Sequence, residues 1–467
     1  MTAGAGVRAL ARLAWRDAAR HPARTLLVAT VLALPTAMLA SATVVLRYGD
    51  LIASRSFGMS NLFMLVFVAT VAVAGLTAAA ALGVGARRQL RELGLLAAVG
   101  GSGRHLRLLV LLQGFGLGLL GGLAGIPVGL AVTWATFPLL RTWLTPVQDE
   151  TGALLVPQFS VVGRDMAWTA AFTVTLALLT ALRPAITAAR VPVASALAGR
   201  RPPRRTRPRL VAAGLAIALL GLVLQGVANQ LDARGVIPPI QLELLALGTL
   251  GSIPSALLIT LAGMALCTPA LVGLAGHVVP AWPAALRLAA RDAARNPGRG
   301  AAAVTAVAAG LGMLVVLAGL ATLSGPGSGG FLVQGEAGYF ELQPAAPAFP
   351  PALRMLLAIF TVMTVAVVLA VNALGRAEAR DDLAVLEALG ASPRTRRALA
   401  AASAWLLTEL GALLGVAVGL SPLVVQRASR SFWTLYPMAV PWPTLALVVV
   451  VVPAVTAAAA ALTAGGP

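Results

Sequence analysis

Few side chains in this sequence are of a type that performs chemistry, and they are widely separated. The chain has one cysteine, Cys267, and three histidines, His21, His105 and His277, in separate basic or polar segments. A lone cysteine forms no internal disulfide and no thiolate metal cluster, and three scattered histidines disfavour a histidine-based metal site. We therefore predict that the chain holds no metal ion.

The basic residues exclude one large class of enzyme. All 35 of them are arginine, and the sequence contains no lysine. A P-loop needs a lysine on the β- and γ-phosphates of its nucleotide, so the chain is not a conventional ATPase by itself. Paired carboxylates and a nucleophile elbow are also missing from the sequence. We predict a chain that is not an enzyme and binds no cofactor of its own.

One acidic residue, Glu409, lies deep in an apolar segment. An ionisable residue inside a membrane is by default a functional hypothesis, but a single acid without a paired Asp, Lys or His makes a poor proton relay. Two structural interpretations stay open. Glu409 either pairs with an interior polar group or lies closer to the membrane interface than its position in the segment indicates.

The composition indicates a membrane protein. Of 467 residues, 59% are hydrophobic and 11% are charged, whereas soluble domains carry about 25% charged residues and disordered chains need low hydrophobicity. The net charge of +19 would indicate nucleic-acid binding in a soluble protein. In a chain this apolar, the positive residues instead indicate which segments face the cytoplasm. We therefore expect no nucleic-acid partner.

Ten segments are long and apolar enough to cross a bilayer, which takes about 20 residues each. The sequence therefore predicts an all-α integral membrane protein with about ten transmembrane helices. The predicted spans are Thr25–Leu46, Leu62–Ala86, Leu108–Trp134, Met166–Leu182, Leu210–Ala228, Leu244–Leu266, Gly300–Leu323, Met355–Leu374, Ala398–Val425 and Thr444–Leu462.

The arginines are distributed unequally between the two sides. With ten spans and a cytoplasmic N-terminus, 27 arginines lie in inner segments and 8 in outer ones, as the positive-inside rule expects. We predict a multi-pass protein of the cell membrane with both termini in the cytoplasm. Cleavage of the first span at Ala40-Ser41-Ala42 as a signal peptide is an alternative, but this span is long for a signal peptide.

An internal repeat organises the chain. Residues 12–24 match residues 287–299 at ten of thirteen positions, and residues 93–104 match residues 383–394 at six of twelve. These matches predict two four-helix repeats, spans 1–4 and 7–10, joined by a two-helix insert. We place the first repeat at 1–200, a basic linker with the insert at 201–280, and the second repeat at 281–467.

Glycines recur at spacing four in the third helix of each repeat, where small residues let helices approach closely. We interpret these glycines as contacts between helices of the same subunit. The alternative is an interface along which helices slide or at which subunits assemble. The two rows correspond in the repeat register. They are Gly121, Gly125 and Gly129 in span 3 and Gly411, Gly415 and Gly419 in span 9.

Residues 7–20 form a predicted interfacial helix, with apolar residues on one side and arginines on the other. Such a helix lies in the headgroup region, where its arginines meet anionic lipid. It acts either as a simple anchor or as a lever into span 1. The arginines are Arg8, Arg12, Arg16, Arg20 and Arg24.

Two inner segments, residues 87–107 and 376–397, share one pattern: a charged start, a short amphipathic helix, a glycine turn and then arginine. Gly100 and Gly390 are predicted to end a helix in left-handed geometry, and Ser102 and Ser392 to cap the next helix. A short helix with a charged and an apolar face is suited to docking on a partner. The alternative is a solvated connecting loop.

These segments resemble the signature of FtsX/MacB-like permeases, the membrane subunits of type VII ABC transporters. The resemblance rests on residues 91–104 (RELGLLAAVGGSGR) after a span, on their copy at 383–394, and on residues 182–197, which resemble the tail after that family's fourth helix. The ten-span plan resembles the subgroup of bacitracin-type peptide resistance permeases.

The resemblance implies that the two segments are coupling helices that contact a separate ABC-type ATPase, with ATP and Mg²⁺ bound in that partner. Two repeats imply two ATPase copies for each permease. The residues that the resemblance assigns to these contacts are Arg87, Arg88, Arg91, Glu92, Gly100, Ser102 and Arg104 in the first segment, and Arg380, Asp382, Glu387, Gly390, Ser392 and Arg394 in the second.

The expected function is ATP-dependent export of a hydrophobic or amphipathic substrate, a lipid or a peptide, with antimicrobial peptide resistance as one instance. The alternatives are a non-transporting signal transmitter of the same family and a secondary transporter. This sequence departs from the family pattern in three ways. It lacks a large external domain, it lacks the Arg-Pro-Ala tail after span 10, and its second coupling segment is more acidic.

Overall fold

The computed structural model describes most of the helical part of the chain. The described residues are 3–20, 22–53, 70, 73–79, 94–95, 97–98, 100, 102–143, 147–148, 154–155, 159–188, 208–233, 253–276, 283–295, 297–322, 331–334, 340–343, 349–428 and 440–464.

Helices dominate these residues, because a backbone inside a bilayer has to form its hydrogen bonds within its own segment. In chain order the helices are α1 (Ala3–Arg20), α2 (Pro22–Ala53), α3 (Gly103–Trp143), α4 (Gly163–Ala188), α5 (Pro208–Ala233), α6 (Ile253–Ala275), α7 (Ala284–Arg295), α8 (Pro297–Thr322), α9 (Phe349–Ala388), α10 (Pro393–Gly419), α11 (Ser421–Ala428), α12 (Trp442–Ala446), a π-helical turn (Leu447–Val451) and α13 (Val452–Thr463).

The described residues include two short antiparallel β-hairpins in addition to the helices, and the predicted all-α class still holds. Strand β1 (Val147–Gln148) pairs with β2 (Leu154–Leu155), and β3 (Phe331–Gln334) pairs with β4 (Phe340–Gln343). Both hairpins fall in segments predicted to lie on the outer side. The membrane-spanning part of the described chain is helical.

Nine helices among the described residues are long and apolar enough to cross a membrane, and they correspond to nine of the ten predicted spans. This confirms the prediction of a helical membrane protein. The predicted second span, 62–86, lies mostly outside the described residues. Residue 70 and residues 73–79 of that span are helical.

The predicted end of the sixth span at Leu266 is wrong. Helix α6 continues through Pro269 to Ala275, and its apolar window is Ala256–Ala275. A proline is tolerated inside a membrane helix, and Pro269 interrupts only the one backbone bond to the Ala265 carbonyl. The polar Cys-Thr-Pro run therefore does not end the helix.

The two repeats pack in the same order. In the first, α3 contacts α1, α2 and α4; in the second, α10 contacts α7, α8 and α13. The insert helices α5 and α6 form a closely packed pair, and α6 joins it to α7 and α8. The third helix of each repeat is therefore the element around which its repeat assembles.

The glycine rows account for this arrangement. A Cβ added at Gly121 would come within 2.7 Å of the Leu32 Cβ on α2, and one at Gly411 within 2.6 Å of the Val307 Cγ1 on α8. Gly129 meets the Ala37 carbonyl, and Gly419 meets the Gly312 carbonyl at 2.6 Å. Gly125 and Gly415 lie between these contacts, against Thr36 and Ala308. Both rows therefore lie in helix contacts within the subunit.

A second row on α3 faces the other way. Gly114 and Gly118 lie against Ala181 and Ala177 of α4, and an added Cβ would be 2.7 Å from each alanine Cβ. Backbone approaches of this kind are typical of membrane helices, in which small residues form the interfaces. Helix α3 thus packs closely against α2 on one side and α4 on the other.

The two repeats meet in an apolar core. Met38 of α2, Met313 and Leu317 of α8, and Phe360 and Met363 of α9 are at most 4% exposed and form one cluster. Helices α2 and α9 provide most of the direct contact between the repeats, and α3 also contacts α9. This contact places the first helix of one repeat beside the second helix of the other.

Replacing Gly125 by valine is expected to lower the free energy of unfolding by about 1–3 kcal/mol, the usual cost of overpacking. The reason is that the new side chain would collide with the α2 backbone at Ala33. Thermal unfolding in detergent, followed by tryptophan fluorescence, measures the change.

Gly116→Val is the matched control, because it lies on the same helix and an added Cβ there meets nothing within 4 Å. Equal unfolding temperatures for the two variants would contradict the proposed role of the Gly125 contact.

Candidate functional site

Residues 376–388, the start of the second predicted coupling segment, are the end of a long helix rather than the separate short helix that the sequence predicts. Helix α9 has 40 residues, which corresponds to about 60 Å, roughly twice the hydrocarbon thickness of a bilayer. Its apolar window ends at Ala377. Neither glycine nor proline follows Gly375 until Gly390, so the helix continues without a break to Ala388.

The turn after α9 has the predicted geometry. Gly390 has φ +85°, its N–H donates to the Glu387 carbonyl at 2.9 Å, and the Ala391 N–H donates to the Leu386 carbonyl at 2.9 Å. This pair of bonds is the Schellman motif. Ser392 then caps α10, because its Oγ accepts from the Thr395 N–H at 3.3 Å. We call residues 376–397 hairpin 2.

The corresponding turn in the first repeat has related geometry with a different cap. Gly100 has φ +98°, and its N–H donates to the Ala97 carbonyl at 3.1 Å. The Ser102 N–H donates to His105 Nδ1 at 3.3 Å, and Ser102 Oγ lies 2.9 Å from the same nitrogen. Ser102 directly precedes α3, and the His105 side chain in the first turn accepts from the Ser102 N–H, as the third helical residue of a capping box does. We call residues 94–107 hairpin 1.

Each hairpin has two helical arms, one before and one after its glycine turn. Different interactions join the arms at the same position of the two hairpins. In hairpin 2, Arg396 Nη1 of α10 donates to Glu387 Oε2 of α9 at 2.6 Å. In the register of the repeat, the counterparts are Leu106 and Ala97. Leu106 is 6% exposed and packs with Ala97 in a cluster that contains Ala14 of α1. Hairpin 1 is thus held by apolar packing and hairpin 2 by an ion pair.

Each hairpin presents arginine and an apolar side chain to the surroundings. Arg104 and Arg394 occupy matching positions at the start of α3 and α10, and both are exposed. Leu95 and Val385 also match and are 54% and 60% exposed. Leu389, at the tip of hairpin 2, is 79% exposed. A surface that combines exposed aliphatic side chains with arginine suits a groove with an acidic rim.

Several predicted contact residues lie outside the described part of the chain. Arg87, Arg88, Arg91 and Glu92 belong to this group. The backbone at Arg380 and Asp382 is helical as part of α9, and their side chains are outside the description. The structure thus brings Gly100, Ser102 and Arg104 together in hairpin 1, and Glu387, Gly390, Ser392 and Arg394 in hairpin 2.

The amphipathic helix α1 lies beside hairpin 1, and its counterpart α7 lies against α10 beyond hairpin 2. Ala14 of α1 is buried beside α3, and Ala290 of α7 is buried beside Leu406 of α10. Thr25 Oγ1 of α2 donates to the Ala18 carbonyl of α1 at 2.9 Å, which fixes the angle between the two helices. The described arginines of α1 and α7 are exposed: Arg12, Arg16, Arg20, Arg287, Arg291 and Arg295.

Glu409 is half-buried in α10, and no described residue forms a hydrogen bond or ion pair with it. Beside it lies a neutral polar cluster that the sequence analysis missed. Asn372 Nδ2 of α9 donates to Thr408 Oγ1 of α10 at 3.1 Å, and Thr456 Oγ1 of α13 donates to the same oxygen at 3.2 Å. The lone asparagine in an apolar span could have indicated this cluster.

One family model matches the chain in two places. The model described as FtsX-like permease C-terminal matches residues 62–193 and 354–465, together just over half of the chain. The chain belongs to the FtsX-like permease family. No curated protein matches it significantly. Each matched segment of this FtsX-like permease begins near the second span of a repeat and includes one hairpin.

Family membership establishes the general character of the molecule. This FtsX-like permease is a multi-pass membrane protein and an ABC-transporter-type permease subunit. Members of the family generally work with an ABC ATPase and are typically non-enzymatic membrane subunits. The ten-span subgroup stays a prediction, as do the roles of the individual hairpin residues.

Substituting Gly390 by alanine is expected to destabilise hairpin 2 by about 1–2 kcal/mol, because an L-residue is strained at positive φ. Gly375→Ala in the same FtsX-like permease is expected to have the opposite sign and to stabilise α9 by up to about 1 kcal/mol. Gly375 has an open environment in which an added Cβ meets nothing within 4 Å.

Hydrogen exchange of the amides of residues 384–391, together with the unfolding temperature, measures both effects. Exchange at residues 384–391 that is no faster in Gly390→Ala than in the wild type would show that the turn at Gly390 imposes no conformational constraint.

Proposed function

We propose that the chain is the permease subunit of an ABC exporter, and that each hairpin docks on one copy of a separate ATPase that binds ATP and Mg²⁺. The observation that supports this most directly is the pair of hairpins. They occur at the same place in both repeats, they have the same left-handed glycine, and they present matching exposed residues, Arg104 with Arg394 and Leu95 with Val385.

Helix α9 provides the mechanical connection in this proposal. The docking tip and the span are one continuous helix, so a displacement at the tip becomes a tilt of the whole element. Helix α10 follows directly after the Gly390 turn and is tied back to α9 by the Glu387–Arg396 pair. Its glycine row then carries the motion to α8.

The two ATPase contacts are expected to be unequal. Hairpin 2 carries Glu378, Asp381 and Asp382 on its α9 arm and is closed by an ion pair, whereas hairpin 1 is closed by Leu106 and Ala97. Exposed ion pairs contribute about 0.2–1 kcal/mol and weaken in salt. Hairpin 2 should therefore respond more strongly to ionic strength.

The orientation proposed is cytoplasmic for both termini, in the cell membrane. It is supported by the arginine distribution. Trp134, Trp168 and Trp442 are 68%, 70% and 71% exposed and lie toward the helix ends away from the hairpins, where they mark a membrane interface, as aromatic belts do at both faces of a bilayer. The exposed arginines of α1 and α7 are then placed to meet anionic headgroups.

The proposed substrate is hydrophobic or amphipathic, a lipid or a peptide that enters from the membrane, with antimicrobial peptide resistance as one setting. Non-transporting signal transmission is the second candidate. It is favoured by the apolar cluster around Met38 and Phe360, because a closely packed core transmits motion. A secondary transporter has weaker support, since Glu409 has no titratable neighbour among the described residues.

Cysteine labelling tests the orientation. Arg164→Cys should react with a membrane-impermeant maleimide added to intact cells, because the Arg164 side chain is 76% exposed on the side away from the hairpins. Arg394→Cys should react only after the cells are opened. The native Cys267 is buried and gives the unlabelled background, and reaction of Arg394→Cys in intact cells would reverse the proposed topology.

Charge reversal tests the docking. Co-expression with the ATPase encoded beside its gene should yield a stable complex with ATPase activity. Arg104→Glu combined with Arg394→Glu should weaken co-purification at least about tenfold, as loss of a close charge pair at an interface does.

Arg164→Glu is the control for this experiment, because it makes the same change on an exposed arginine at the opposite side. A complex that survives the double reversal would exclude these arginines from the interface. Failure to bind any candidate ATPase would exclude the exporter itself.

A further inference from the structure

Arg376, the first residue of hairpin 2, has no partner for a buried part of its side chain. Its Nη1 atom is buried and forms no hydrogen bond within the described chain. The residue as a whole is only half-buried, so the rest of the guanidinium group reaches the surface. Because a buried charged group is costly unless it is paired, such an orphaned donor indicates a site for a negatively charged group.

The neighbouring side chains locate Arg376 in the fold. One turn before it on α9, Asn372 donates to Thr408 of α10, and Thr456 of α13 donates to the same oxygen. Arg376 follows Asn372 by four residues, so it lies on nearly the same side of α9. It is therefore at the end of the junction between α9, α10 and α13, one turn closer to the tip of hairpin 2.

At this level α10 and α13 contribute only small apolar side chains to the junction. One turn along the two helices from the bonded threonines are Ala404 and Ala460, which are both buried. Their counterparts in the first repeat are Gly114 and Ala181, which meet in the close contact of α3 with α4. The two alanines offer no polar side chain to Arg376.

The acidic residues of the second repeat do not supply a counterion. Helices α10 to α13 contain one acid, Glu409, which lies about 8 Å deeper along α10 than Ala404 and does not pair with Arg376. The next acids of α9 are Glu378, Asp381 and Asp382. At 100° per residue, their positions are at least about 120° around the helix from Arg376.

Arg376 also lies where hairpin 2 leaves the helix bundle. The apolar window of α9 ends at Ala377. Helix α13 continues only about 5 Å beyond Ala460, to Thr463, whereas α9 continues about 18 Å beyond Arg376, to Ala388. The guanidinium group is therefore at the level at which the hydrocarbon layer gives way to phospholipid headgroups.

One side of α9 next to Arg376 faces away from the bundle. Val362 and Leu369 lie on this side, and they are 68% exposed and half-buried, respectively. Val368 and Asn372 lie on the other side and are 0% and 7% exposed. Arg376 thus separates a buried face of α9 from one that meets lipid, and a lipid headgroup can reach it from the bilayer.

We propose that Arg376 binds the phosphate group of an anionic phospholipid in the leaflet on the hairpin side. The planar guanidinium offers parallel N–H donors to two phosphate oxygens, and basic sites between membrane helices recognise anionic headgroups. In the register of the repeats the counterpart of Arg376 is Ala86, so the first repeat has no arginine at this position. The site does not depend on the proposed exporter function.

Photolabelling of the full-length permease in nanodiscs, without any ATPase, tests the site. The probe is a phosphatidylglycerol with a diazirine on its headgroup, added as a minor component to a phosphatidylcholine bilayer. We expect label on residues 400–407 and 457–463, the parts of α10 and α13 beside Arg376. Unlabelled phosphatidylglycerol should compete for this label, and an excess of inorganic phosphate should not.

A charge-neutral variant tests the role of the arginine. Arg376→Gln should lower the label on both segments at least about tenfold, as loss of a hydrogen bond between charged groups does. Arg376→Lys should keep part of the label, because the charge remains and the planar fork is lost. Arg291→Gln is the matched control, because it makes the same change in net charge on an exposed arginine of α7. The control should keep most of the wild-type label.

Three results would overturn the proposal. The first is wild-type label on residues 400–407 and 457–463 that unlabelled phosphatidylglycerol does not reduce, a comparison that needs no variant to fold. The second is full label in an Arg376→Gln protein that retains the wild-type elution profile. The third is displacement by inorganic phosphate, which would assign the site to free phosphate instead of a lipid. Because no ATPase is present, each result would leave the docking of the hairpins as it stands.

Discussion

Close backbone contact between the first and third helices of each repeat is the constraint on which the rest of the structure depends. Gly121 and Gly129 hold α3 against α2, and Gly411 and Gly419 hold α10 against α8. Lipid tails are as apolar as leucine side chains, so helices in a bilayer associate through such close packing. Because α3 and α10 also begin at the hairpins, this contact decides how each hairpin is oriented relative to its repeat.

Local features of the fold were predictable from the sequence. The glycine turns at Gly100 and Gly390 need only a residue that tolerates positive φ, and the spans need only uninterrupted apolar length. The end of α6 and the continuity of α9 were not predictable in the same way. A proline or a run of charges does not by itself end a helix: α6 continues through Pro269, and α9 continues through the charged residues after Gly375 because most of them are good helix formers.

The two repeats differ in which of their helix contacts contain polar side chains. The second repeat joins α9, α10 and α13 through Asn372, Thr408 and Thr456, where the first has an apolar contact of Gly118 with Ala177. The first repeat instead joins α2 to α4 through Thr36 and Thr173, whose Oγ1 atoms lie 3.2 Å apart, at positions that correspond in the repeat register to Leu311 and Val452. Sequence periodicity does not reveal such exchanges, because a threonine and a valine fit an apolar helix almost equally well.

The continuity of α9 has a mechanical consequence. Phe360, fully buried in the contact between the repeats, is 11 residues from the start of the helix at Phe349 and 28 from its tip at Ala388. A rod that pivots there has arms of about 17 and 42 Å. Such a lever would convert a large displacement at the tip into one about 2.5 times smaller at the other end, with a correspondingly larger force.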